Sequence, residues 1–278
     1  MSACVPPVPA ERPQSAMKGI NLTGGMLEEA YLRYNRKDYI HPDPVEFVWW
    51  YTYPGDREIA ALLASALALG RASCILRALG DALARLGEPL KAVTTFGRKH
   101  LRDLFRDFRY RFYDGGQLAG FLSCAGDCVR RYGSLEACFL RGKDEGDTFD
   151  VLASFLKESG LGEFDILPDP AKGSACKRLH LFLRWMVRRD EIDPGGWDYP
   201  ASRLIVPVDT HMMRAGRALG FTGRNQPDAR SAREITEGFR RFASDDPVRY
   251  DFSITRMGIR EDLDLDKWLD LHINPERV

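Results

Sequence analysis

Lys177 and Asp209 are the residues of this 278-residue chain whose types and settings fit covalent chemistry. Lys177 opens the apolar segment KRLHLFLRWMVRR, in which Lys177, His180, Arg184 and Arg188 fall at i, i+3, i+7 and i+11 and form one helical stripe. With Ser174 as N-cap, Lys177 stands at N3 in the first turn, where the helix dipole disfavours an ammonium, and the adjacent Arg178 acts in the same sense. A lysine freed of its proton attacks a sugar or carbonyl carbon and forms a Schiff base. Asp209, in Pro207-Val208-Asp209-Thr210-His211, occupies an N-cap position. Fixed there by the free amides of the first turn, its carboxylate stays ionised and is placed to stabilise a developing sugar cation or to position a nucleophile. The plainer readings are a solvated lysine on an exposed stripe and an aspartate that caps and does nothing else.

The elements that must carry these residues read as helices almost throughout. In REIAALLASALALG, Ile59, Leu62, Leu63, Ala66 and Leu67 recur at helical spacing. The same pattern runs through Leu118, Phe121, Leu122, Ala125 and Val129 to a C-terminal Gly133, and through Leu179, Phe182, Leu183, Met186 and Val187. Further helices are predicted at 26–35, 43–52, 71–86, 89–105, 147–158, 210–219, 229–243 and 264–271. Strand alternation and hairpin turns are almost absent, so the fold class is all-α. Residues 1–16, in MSACVPPVPAERPQSAM, are expected to be a disordered tail ahead of one helical unit at 17–278, and they lack the pattern of a secretory signal. No run is long and apolar enough to span a membrane, and a cytoplasmic monomer is expected.

Forty Lys+Arg against forty Asp+Glu give zero formal charge, which argues against a uniformly basic nucleic-acid footprint. The average hides a division: residues 171–260 hold 17 basic side chains, 15 of them arginine, against 11 acidic ones, while 261–278 hold 2 against 6. Arginine suits bidentate phosphate contact, although a solvated Arg-rich surface reads the same way. The six cysteines include no C-x-x-C pair; Cys124 and Cys128 are read as small core residues. His211 has no second His or Cys near it, so it is read as a helix-start residue hydrogen-bonded within the core. No metal and no cofactor are expected.

The segment VPVDTHMMRAGRALG resembles the catalytic aspartate motif of the helix-hairpin-helix DNA glycosylase superfamily, with Asp209 on the aspartate and Arg214 on the following arginine. KRLHLFLRWMV is similar to the helix after the hairpin that begins with the nucleophilic lysine of bifunctional members, which places Lys177 on that lysine. REIAALLASALALG resembles an early core helix, and FRYRFYDGGQLAGFLSCAGDCVRRYGSLEACF, with its Tyr110-Arg111 pair, a segment of the 8-oxoguanine glycosylases. The likeness spans roughly residues 45–260 and is close to a bacterial family of unassigned function at the edge of the superfamily. It implies two helical lobes around a cleft and a DNA glycosylase with AP lyase activity on duplex DNA. In that reaction an extruded nucleotide is attacked at C1′ by Lys177, and Asp209 assists departure of a damaged base such as 8-oxoguanine. Lys172, Gly173, Arg184, Arg188 and Arg214 become candidate DNA contacts, and Trp49, Trp50, Tyr51, Trp185 and Trp197 candidate stacking partners.

The chain also departs from the family's pattern. Where the hairpin has a glycine-rich turn, 167–173 reads LPDPAKG, which weakens DNA anchoring and makes Lys172 a rival nucleophile. The 32-residue gap between Lys177 and Asp209 requires 190–202 to loop out, and no cysteine after Cys176 is available for an iron-sulphur loop. Two other readings stay open: a non-catalytic nucleic-acid binder on the same scaffold, and a helical protein with no nucleic-acid role. The catalytic reading requires the Lys177 amine and Asp209 carboxylate to converge within several ångströms.

Overall fold

Apolar residues at three- and four-residue spacing over most of the chain give a predominantly helical fold, with one two-stranded hairpin among the described residues. The structure, a computed structural model, describes residues 14–273, with side chains over 23–272. The helices are α1 (Gln14–Tyr34), α2 (Val45–Val48), α3 (Pro54–Leu67), α4 (Ala72–Leu86), α5 (Pro89–Thr95) and α6 (Arg98–Leu104). A hairpin of β1 (Arg109–Tyr110) and β2 (Tyr113–Asp114) follows, then α7 (Gly115–Tyr132), α8 (Leu135–Leu140), α9 (Thr148–Ser159), α10 (Lys177–Val187), α11 (Thr210–Ala218), α12 (Ala229–Arg240), α13 (Asp251–Ile259) and α14 (Leu265–Ile273). Gln14–Ala16 already belong to α1, whereas the rest of the expected tail, 1–13, lies outside the described residues.

α3 is buried along its whole length from Glu58 onward and packs against α2, α4, α5 and α10. α7 packs against α5, α6, α8 and α9, and α13 against α1, α11 and α14. The predicted helix at 89–105 is two helices, broken where Phe96 turns extended and Gly97 caps α6. The helix predicted at 43–52 contracts to α2. The helices α8 and α13 fall outside the predicted segments, the second because it is buried at seven consecutive positions, Asp251 to Met257, and so has no polar face to set a period.

The stretch 190–202 does not loop out, because it seals the end of α10. The amides of Gly195 and Trp197 donate to the carbonyls of Trp185 and Met186 at 3.0 and 2.8 Å, satisfying groups that a helix end leaves free. Trp197 Nε1 donates to buried Glu58 at 2.9 Å; the other donors to that carboxylate are the amides of Leu135 and Glu136. One carboxylate of α3 thereby ties the sealing stretch to the start of α8.

Candidate active site

α10 begins at a sharp corner. Ser174 is held in an antiparallel bridge to Asp228 and accepts from the Cys176 amide at 3.2 Å, so it does not cap the helix. The corner falls instead on Cys176, in the left-handed region at φ 47, a conformation that costs a non-glycine residue about 1–2 kcal/mol. Lys177 is therefore the first helical residue rather than N3.

From that position Lys177 Nζ lies 3.2 Å from Asp209 Oδ2. The chain reaches Asp209 through the buried run 204–208, and α11 starts at the next residue. Asp209 Oδ1 accepts from the amides of His211 and Met212, both at 2.9 Å, so one carboxylate oxygen caps while the other meets the lysine. Burial pushes the Asp209 carboxyl up, but the charge of Lys177 and the Met212 amide outweigh it and hold the group below its usual range. The lysine side chain remains 34% exposed and the aspartate 15%. An amine with access to solvent, beside a fixed anion, can attack an electrophilic carbon while the anion offsets the positive charge that develops as a leaving group departs.

Arg184 and Arg188, on the same stripe, are not available to DNA. Both are buried. Arg184 donates to Asp193 at 3.2 Å and to Asp251; Arg188 holds both oxygens of Asp246 at 2.9 and 3.0 Å, together with Asp190 at 2.9 Å and Asp193. Buried Arg256 adds a pair with Asp43 at 2.7 Å. Buried cations need buried anions, and three separate segments supply them, which turns a stripe expected to face water inward. Burial pushes the carboxyls of Asp193 and Asp251 up to about 6 against the pull of the arginines; at Asp251 the Asp209 charge adds to the rise. Asp43, Asp251 and Arg256 escape a reading of the sequence because no short motif marks them.

The remaining candidates scatter. Lys172 is exposed, 4.0 Å from Asp169, at the end of a short 3-10 turn of residues Pro170–Lys172; among the lysines read as nucleophiles, it is Lys177 that the fold brings to Asp209. Gly173, at φ 73, is also exposed, and its carbonyl accepts from the Ala229 amide at 2.9 Å. Arg214 is half-exposed and pairs with Asp266 at 2.9 Å. His211 is only partly buried and lies 3.5 Å from Arg214, so it is not a core hydrogen-bonding residue as read from sequence. Burial is the main cause that keeps its imidazole below the ordinary range. Its ring sits against Gly258, where an added Cβ would meet Nδ1 at 2.2 Å. Trp185 and Trp197 are core residues, Trp49 donates to the Ile192 carbonyl at 2.7 Å, Tyr51 packs on the core and Trp50 is exposed.

The start of α11 stands between two cavities. One, of about 650 Å³, is lined by His211 with His41, Gly70, Arg71, Gly258 and Arg260; the other, of about 730 Å³, by Thr210 with Met213, Arg214 and Arg217. Among the described residues no cluster of three or more His, Cys, Asp or Glu fits a metal ion, and no helix is long and apolar enough to cross a membrane.

Residues 43–260, and with them both members of the Lys177–Asp209 pair, match the family described as "Protein of unknown function (DUF2400)", and the chain belongs to it. No curated protein and no solved structure matches the chain.

Proposed function

We propose that this member of the DUF2400 family is a DNA base-excision glycosylase with AP lyase activity, built as two helical lobes of the helix-hairpin-helix glycosylase type around a cleft. The observation that carries the reading is the 3.2 Å approach of Lys177 Nζ to an Asp209 carboxylate already fixed by two amides. The likeness of VPVDTH and KRLHLFLRWMV to the motifs of that superfamily supports it.

In the proposed reaction a damaged nucleotide, an oxidised purine such as 8-oxoguanine, leaves the duplex stack and enters the cleft. Lys177 Nζ, after passing its extra proton to solvent, attacks C1′ with its lone pair. The C1′–N bond breaks, the base leaves with its electron pair and takes one of the two protons on the newly bonded Lys177 nitrogen, and Asp209 offsets the positive charge on the sugar. The C1′–O4′ bond then breaks, the second of those protons passing to O4′, and an imine remains between Lys177 and C1′. Loss of a proton from C2′ then expels the 3′-phosphate, and water releases the lysine.

A second reading, a nucleic-acid binder without catalysis, is favoured by one observation: 170–172 form a 3-10 turn whose first residue is a proline without an amide, a poor cradle for phosphate. Borohydride trapping on duplexes containing 8-oxoguanine, uracil, thymine glycol or an abasic site separates the two. The expected result is a covalent adduct that is lost in Lys177→Gln and kept in Lys172→Gln. Duplex binding without any adduct would leave the binder, or a glycosylase acting through Asp209 alone.

A further inference from the structure

Phe112 is 78% exposed, the most exposed of the large hydrophobic side chains among the described residues. It sits at the tip of the β1–β2 hairpin, where Arg109 pairs with Asp114 and Tyr110 with Tyr113, leaving Arg111 and Phe112 as the two-residue turn. Arg111 takes a left-handed φ of 52, where hairpins ordinarily place glycine or asparagine. A strained turn that presents a phenylalanine to water is a poor solution for stability alone.

The hairpin is fastened to the elements that deliver Lys177. Tyr110 donates from its hydroxyl to the Leu69 carbonyl at 2.7 Å, and Tyr113 to the Ile166 carbonyl at 3.2 Å. Arg178, next to Lys177, donates to the Tyr113 hydroxyl at 2.9 Å. With both tyrosines held inward, the turn residues point out. The Arg111 guanidinium lies 5.5 Å from the Phe112 ring centre and against Gly70, where a Cβ would stand 2.7 Å from Nη1. Gly70 and Arg71 line the cavity that His211 also lines, two residues from Asp209. The tip therefore stands beside the cavity that His211 lines, through the contact of Arg111 with Gly70, and Arg71, Arg109 and Arg111 are exposed there.

An apolar ring flanked by arginines fits a nucleic-acid strand, whose phosphates take the cations while a base takes the ring face. Proteins that unstack a duplex insert such side chains between base steps. We propose that Phe112 stacks on a base of the strand bound at the Lys177–Asp209 site and occupies the gap left when a nucleotide is drawn out, with Arg111 and Arg71 holding the adjacent phosphates. This rests on the glycosylase reading insofar as it requires DNA at that site.

The test uses the full chain and a duplex carrying a tetrahydrofuran abasic analogue, which binds without reacting. Phe112→Ala is expected to raise Kd by about 5- to 150-fold, the range of one lost base–aromatic stack. Because the side chain is exposed, the thermal unfolding midpoint should stay at that of the wild type. In Phe112→Trp, the emission that the new indole adds to the wild-type spectrum is expected to be quenched as the complex forms. Wild-type binding with an unchanged Kd in Phe112→Ala, or a complex in which that added emission is unaltered, would overturn the stacking role and leave the glycosylase reading intact. Failure of the wild-type chain to bind any duplex would overturn both.

Discussion

The two ends of α10 carry ion pairs of opposite kinds. At the first turn a single lysine meets a single aspartate at 3.2 Å with solvent beside it. Two turns on, Arg184 and Arg188 are enclosed with Asp193 and Asp251, and Asp190 and Asp246 close the outer side. The first arrangement leaves an amine able to leave its partner and react. The second holds each arginine against two or more carboxylates and fixes the helix in place. One polar stripe thus divides into a loosely paired end and an anchoring end, and what divides it is access to water rather than residue type.

The sharpest way to break that contrast is to remove a cation from each end. Arg184→Met leaves buried Asp251 without its guanidinium, and Asp193 with Arg188 alone, and is expected to cost about 3–5 kcal/mol, whereas Lys177→Met, at a partly exposed pair, should cost less than about 1 kcal/mol. Urea unfolding of the two variants measures both; equal losses would erase the distinction. Lys177→Met is expected to bring the larger loss of trapping.

His180 lies between the two ends and sharpens the contrast through pH. It is buried, packed edge-on against Phe149 at 4.7 Å, and neither ring nitrogen has a hydrogen-bond partner. Burial pushes its imidazole down to about 3. Below pH 6.5 the unfolded chain gains a proton that the folded chain refuses, so this residue lowers stability progressively as pH falls from 6.5 toward 3. Asp193 and Asp251 act in the opposite sense between about pH 6 and 4, because folding raises their affinity for protons. Comparing His180→Leu with wild type cancels those acids. The variant should match or exceed wild type at pH 8 and gain on it by about 1.4 kcal/mol per pH unit below about 6.5. A parallel pair of stability–pH curves would show that His180 finds a proton acceptor in the fold.

Much of this was legible in the sequence where a local rule applied. Asp209 as N-cap, the period of α3, α7 and α10, and Gly133 at the end of α7 follow from residues close in the chain. What stayed hidden depends on distant partners. Arg184 and Arg188 look solvent-facing in the sequence because their counter-ions include Asp246 and Asp251, some sixty residues on and in segments without a motif. With Ser174 bridged to Asp228, the corner before α10 falls on Cys176, and no local pattern announces a partner 54 residues away.

The sealing of α10 by the amides of Gly195 and Trp197 also sets a clock along the helix. Amide hydrogens in its last turns, held between a packed loop and the arginine cluster, should exchange with solvent only through the rarest openings, on the timescale of global unfolding. Those just after the corner at Cys176 should exchange sooner, through local fraying. Lys177 would then sit on the end of the helix that opens first, while the end held by the arginines opens last.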